Sequence, residues 1–253
     1  MAEPPPPPPA CGYLPRLAGE GWTEGDSLRF SNTLTIGANA LGLALTDDQI
    51  GRLLNYLGLL LKWNKVYNLT ALRDPEDMLT HHLLDSLAVI APLRRHTQGR
   101  SMRLLDVGSG GGLPGIVIAI CCPEVAVTCI DAVAKKIAFV RQAAGALGLP
   151  NLHGVHGRVE TLRDSFDVVT SRAFAALADF AAWSTAALAI NGVWMAMKGK
   201  PPIDEIAALP SNVNVFHVEP LTVPGLNAER HLVWMRLQNQ VSCDAHENRE
   251  HEI

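Results

Sequence analysis

The stretch LLDVGSGGGLPG, Leu104 to Gly115, is an apolar run closed by Asp106 and followed by glycines at 108, 110, 111, 112 and 115. Glycine at that density lets backbone approach a ligand closely, because no Cβ intervenes and φ is free. An apolar strand running into such a loop ahead of a helix is where open α/β sheets bind their ligands. Three readings stand open here: the pyrophosphate of a dinucleotide, a phosphate-free nucleoside, or a tight turn with no ligand. Gly110, Gly112 and Gly115 satisfy G-x-G-x-x-G, but the extra glycines make that match easy to meet.

The sequence around the loop decides the fold class. From residue 102 onward, RLLDV, AVTCID, NLHGVHG, FDVVTS and GVWMAM are short apolar runs. The segments between them read as helices over 114–122, 134–147 and 175–188, with a further one over 202–209. Strands alternating with helices predict a parallel, doubly wound, Rossmann-like sheet. VNVFHVEP and HLVWMRL then follow as two strands with no helix between them. An α/β sheet ending in such an antiparallel hairpin is typical of class I, adenosylmethionine-dependent methyltransferases and less so of dehydrogenases. Upstream, Thr46 and Gln49 form a capping box, and Ile50, Leu53, Leu54, Leu57, Leu60 and Leu61 follow at helical spacing. A second helix starts with Asp74 as cap and Pro75 at its first position, with Leu79, Leu83, Leu87 and Ile90 on its apolar side. The domain reading is therefore a single methyltransferase domain over 41–240, made of N-terminal helices over 41–100 and a Rossmann-like core over 101–240. The flanks differ. Residues 1–40, with PPPPPP at Pro4–Pro9, are expected to be mostly disordered, as is the polar tail 241–253.

With 253 residues and 48% hydrophobic content the chain can bury a substantial single core. No apolar run reaches the length of a membrane span, and no basic segment precedes an apolar core at the start, so a cytoplasmic protein is expected. Five unevenly spaced cysteines (11, 121, 122, 129 and 243) do not make a disulfide framework. The net charge is −4, but residues 1–40 carry four acids and two bases and 241–253 four acids and one base, leaving +1 for 41–240. The centre can therefore present a local basic face.

The acids near the loop narrow the ligand. Asp106, at the strand end, is expected to face the ligand's charge; a carboxylate there repels a pyrophosphate and suits a sulfonium. Asp131 ends the second strand, where an acid accepts ribose hydroxyls, in NAD as in adenosylmethionine. Val159 and Glu160 fall where an adenine edge would lie. Other constellations carry less. His82, Asp85 and Ser86 share a helix face but lack a nucleophile elbow, so a hydrolase is a poor reading. Cys121 and Cys122 read as packing residues, and His153 and His156 lack further zinc ligands, so no metal is expected. After the fourth strand TSRAFA replaces the Asn/Asp-Pro-Pro-aromatic stretch of many amino-group methyltransferases. Arg172 there is a donor, suited to a group that accepts hydrogen bonds.

The residues KWNKVYNLTALRDPEDMLTHHLLDSL (from Lys62), LLDVGSGGGLPGI, GRVE, VVTSRAFA, AMKG and ERHLVWM, in that order, resemble the small-subunit ribosomal RNA methyltransferase G family, also called glucose-inhibited division protein B. The resemblance implies methyl transfer from S-adenosylmethionine to N7 of guanine 527 in 16S rRNA, with cofactor contacts at Gly108, Leu113, Val159, Glu160 and Arg172. Guanine N7 has a lone pair and no proton, so its attack needs no general base, and proximity, alignment and electrostatics suffice. For the RNA, Arg172, Lys198, Arg230, His82 and Asn68 are the expected contacts, Arg172 and Lys198 closest to the chemistry. The partner implied is the small subunit or its precursor, met by a monomer without metal or membrane. A nicotinamide-dependent oxidoreductase and a non-catalytic adenosylmethionine- or RNA-binding module are the competing readings.

Overall fold

A computed structural model describes residues 23–238. The Pro-rich start up to residue 22 and the tail from 239, both expected to be disordered, lie outside the described residues. Five helical pieces precede the sheet: α1 (Glu24–Ala40), α2 (Asp47–Tyr67), α3 (Pro75–Met78), α4 (Asp85–Leu87) and α5 (Ile90–Thr97), with a π-helical stretch, Leu79–Leu84, joining α3 to α4. The core alternates β1 (Met102–Val107), α6 (Gly115–Cys121), β2 (Val125–Asp131), α7 (Ala134–Ala146), β3 (Leu152–His156), β4 (Phe166–Arg172), α8 (Leu177–Ser184) and β5 (Leu188–Lys198). It closes with α9 (Ile203–Ala207), β6 (Val213–Pro220) and β7 (His231–Leu237).

The seven strands lie in the order β3-β2-β1-β4-β5-β7-β6. The first five are parallel, and β7 inserts antiparallel between β5 and β6. This is the sheet expected of the class I methyltransferases, with the antiparallel pair at its end. Period-2 alternation divides the strands' side chains between two cores. Leu104, Val127, Cys129, Val168 and Met195 pack with α1, α2, α6 and α7 in one cluster. Leu105, Ile130, Val169, Trp194 and Val233 pack with α8 in the other. The N-terminal helices thus share a core with the sheet.

Residues 24–40 correct the expectation of disorder. Helix α1 opens with a capping box between Thr23 and Asp26 and buries Ser27, Phe30, Leu34, Gly37 and Ala38. Gly37 lies so close to Leu84 that a Cβ there would come within 2.6 Å of its methyl. Small residues on the buried face let α1 close on the π-helical stretch, and they also hide its stripe: Leu28 and Ile36 point outward, 65% and 69% exposed. The Thr46–Gln49 capping box of α2 forms as expected, and Asn68 ends that helix in the left-handed region at φ 49°. The second expected helix exists but is interrupted, because its middle turns widen into the π form.

Candidate functional site

The topology reverses direction between β1 and β4, and a cleft of about 390 Å³ opens beside that point, at the carboxyl ends of the parallel strands. Gly108, Asp131, Val159 and Glu160, four of the expected cofactor contacts, line it. Gly108 has φ +65°, and a Cβ on it would sit 2.3 Å from the Phe174 ring. Only glycine meets both demands. Asp131 is 7% exposed; its Oδ1 accepts the Val133 N–H (2.9 Å) and its Oδ2 the Gly110 N–H (3.1 Å), with Lys136 Nζ at 3.5 Å. Each carboxylate oxygen has two acceptor sites, so Oδ1 keeps one beyond the Val133 N–H. Val159 is buried and Glu160 exposed in the turn after β3. Leu113 is also buried but stands outside the cleft lining. A larger cavity, about 560 Å³, is lined by Ile190, Phe216 and Arg236. It lies at the opposite end of the sheet and holds none of the expected residues.

Asp106, expected to face the ligand's charge, does not line the cleft. Fully buried, it turns beneath the loop, where Oδ2 accepts the Gly115 N–H at 2.9 Å at the head of α6. Gly115 permits this approach, since a Cβ there would lie 2.8 Å from that same oxygen. Its Oδ1 and the Ser109 hydroxyl find no partner among the described residues. Burial pushes the Asp106 carboxyl up to about 7, against the Gly115 hydrogen bond and the Arg172 charge, which pull it down. From the other side, Tyr56 of α2, itself buried, donates to the Gly111 carbonyl at 2.7 Å. The loop is therefore braced by the N-terminal helices. Nothing local distinguishes this tyrosine from the core stripe around it.

The residues expected to touch RNA are distributed unevenly. Arg172, at the end of β4, stays out of the cleft; its Nη1 donates to the His81 carbonyl and to Asp85 Oδ2, both at 3.0 Å. Arg230 Nε donates to the other oxygen of Asp85 at 2.7 Å. His82 lies beside them, and burial together with the Arg172 charge lowers it to about 4. Its Nδ1 lies 3.1 Å from the His81 carbonyl and its Nε2 2.7 Å from the Thr70 hydroxyl. A carbonyl only accepts, so Nδ1 carries the proton and Nε2 accepts from Thr70. Asn68 is exposed and takes a hydrogen bond from Arg73 at 3.1 Å, away from this group. It is Asn64 that organises the NLTAL segment, through the Leu72 carbonyl and the Thr70 N–H. Lys198 is committed to the Ala175 carbonyl (2.8 Å) and Glu205 (2.7 Å), and Glu205 also accepts the Leu177 N–H. These bonds fasten the segment carrying Phe174, which lines the cleft with Trp183 at a centroid distance of 5.8 Å. Sequence reasoning missed both aromatics, although TSRAFA displays one of them. Burial pushes the Cys121 and Cys122 thiols up to about 12 and about 11, so neither offers a thiolate. Among the described residues no group of three metal-ligating side chains occurs, and no helix is long and apolar enough to cross a membrane.

Comparison with known proteins identifies the family and the fold. The family model for GidB, rRNA small subunit methyltransferase G, matches residues 49–233. Ribosomal RNA small subunit methyltransferase G of Acidovorax sp. (strain JS42) is 68% identical over 215 residues, covering 82% of this chain and 95% of that protein. The protein of the same name from Polaromonas sp. (strain JS666 / ATCC BAA-500) is 65% identical over 210 residues, covering 81% and 93%. Among solved structures, TrmN from Thermus thermophilus aligns with TM-score 0.50 at 20% identity, over 63% of this chain and 53% of that one. That likeness concerns the fold.

Proposed function

The chain belongs to the GidB family of rRNA small subunit methyltransferase G enzymes, and on that premise we propose that it methylates N7 of guanine 527 in 16S rRNA, with S-adenosylmethionine as donor. The observation that carries the cofactor reading is the position of the two acids. Asp131 presents a free acceptor site to the cleft, as a ribose requires, while Asp106 occupies the N–H at the head of α6. A dinucleotide's pyrophosphate would use that helix start. The arrangement therefore favours a phosphate-free nucleoside and speaks against a nicotinamide-dependent oxidoreductase.

In this reading Gly108, Asp131, Val159 and Glu160 hold the cofactor, which supplies a methyl group activated on a sulfonium. The N7 lone pair of guanine would form the new bond to the methyl carbon as the carbon–sulfur bond breaks and leaves a neutral thioether; N7 has no proton to lose, so the protein has to place the base and screen the charge that moves onto it. The low basicity of His82, held near 4, and the un-ionised thiols are in keeping with chemistry that uses no base. Arg172 and Arg230 are the side chains we assign to the RNA, through guanine O6 or phosphate oxygens. Lys198 acts through the Phe174 segment, and His82 and Asn68 through the loops they fix. The working unit is a single chain acting in the cytoplasm on small-subunit RNA. Mass spectrometry of 16S rRNA from cells lacking the protein should show 7-methylguanosine gone from position 527; its retention would end the assignment. Calorimetry adds an independent check, since tight binding of NAD without binding of adenosylmethionine would reverse the choice of ligand.

A further inference from the structure

Asp85 is 3% exposed at its side chain and lies where the π-helical stretch gives way to α4. Each of its oxygens holds a different arginine: Oδ2 takes Arg172 from the end of β4, and Oδ1 takes Arg230 from the segment before β7. The adjoining His81 carbonyl gives Arg172 a second anchor. Three pieces of chain distant in sequence are thereby tied at one point beside the sheet's ligand edge. The two arginine side chains keep partial exposure, 20% and 23%. Among the described residues Arg172 uses only Nη1, and Arg230 only Nε and Nη1. Both therefore keep N–H donors for an incoming acceptor.

A carboxylate between two arginines is a poor device if attraction for RNA is the whole purpose, because it cancels one of two positive charges. It is a good device for geometry. A free surface arginine loses rotamer freedom when it binds, whereas one already held presents its planar fork in place. The group retains a net charge of +1, enough for one phosphodiester, while His82 adds none because it stays neutral above about pH 4.

We propose that Asp85 is a positioning residue for the RNA: it sets Arg172 and Arg230 as a two-pronged donor for one phosphodiester oxygen pair of the rRNA strand beside the methyl-transfer site. This rests on the reading of the chain as an rRNA methyltransferase. The test compares wild type with Asp85→Asn, which keeps the shape and removes the charge, using small subunits that lack the modification. The variant should keep its thermal midpoint within a few degrees and its adenosylmethionine affinity within about twofold. Its RNA affinity at low salt should stay equal or rise, with a steeper salt dependence from the uncovered charge. Methylation kcat/KM should nevertheless fall by about tenfold or more. Methylation that is unchanged or faster would overturn the proposal, since the carboxylate would then only dilute charge. A loss matched by falling cofactor affinity or by unfolding would overturn it too, as the mark of a merely structural residue. Arg230→Lys, which keeps the charge without the fork, provides the second arm; it should show the same split, and full activity in it would count equally against the clamp. Failure of the wild-type protein to methylate at all would instead remove the functional reading beneath the proposal, and the proposal with it.

Discussion

Asp106 and Asp131 both end parallel strands beside the same loop, and their surroundings separate them. Asp131 keeps an acceptor site toward the cleft, so Asp131→Ala should weaken adenosylmethionine binding by about tenfold or more, the scale of a hydrogen bond to a charged group; calorimetry showing unchanged affinity would exclude it from the ribose site. Asp106 has its folded-state pKa near 7 against an ordinary 3.8. Between those values the folded chain binds a proton the unfolded chain does not, so this group's stabilisation is lost as pH rises from about 4 to about 7. His82 runs the other way, held near 4 against 6.5, and costs stability as pH falls through that window. The thermal midpoint of Asp106→Asn relative to wild type should therefore climb between pH 5 and 8, and parallel pH profiles would contradict the burial argument. Lys198, read from sequence as an RNA contact, ties down the Phe174 segment instead, so Lys198→Ala should impair cofactor binding along with methylation. RNA methylation lost at unchanged cofactor affinity would return the lysine to the RNA.

At the scale of elements, the caps and the long stripe of α2 were legible because both are local: a side chain bonding three residues away, and leucines recurring at 3.6. Helix α1 was not, since its buried face uses Ser27, Gly37 and Ala38 among only two large apolar residues. Its packing is nevertheless part of the core. Leu34→Ala should cost about 2–5 kcal/mol, lowering the thermal midpoint by some 2–4 °C per kcal/mol. A chain shortened to begin at residue 31, harmless if the start were disordered, would lose the first turns of α1 and buried Phe30, and should melt earlier. An unchanged melt in both would return α1 to the status of an appendage. The π-helical stretch was equally invisible. Leucines at 79, 83 and 87 fit an ordinary helix, and the widened turns, from which the His81 carbonyl and the adjoining Asp85 meet one arginine, leave no trace in spacing.

Across the whole molecule, the helices before residue 100 and the sheet after it bury one shared cluster, and Tyr56 reaches from the first part to the loop of the second. A fragment of residues 101–240 should accordingly fail to give a cooperative urea transition, whereas the intact chain should unfold in one step; a stable, cofactor-binding fragment would show that the sheet stands alone. The alternation of strands and helices, the terminal antiparallel pair, the glycine turn and four of the residues lining its cleft were all readable from the chain, because periodicity, turn chemistry and strand ends are written within a few residues of one another. Which way each charged side chain turned was settled by the folded packing alone. Whether Asp106 meets a ligand or the head of α6, and whether Arg172, Arg230 and Lys198 stand free or held, depends on partners that no local spacing reports, most of them tens of residues away.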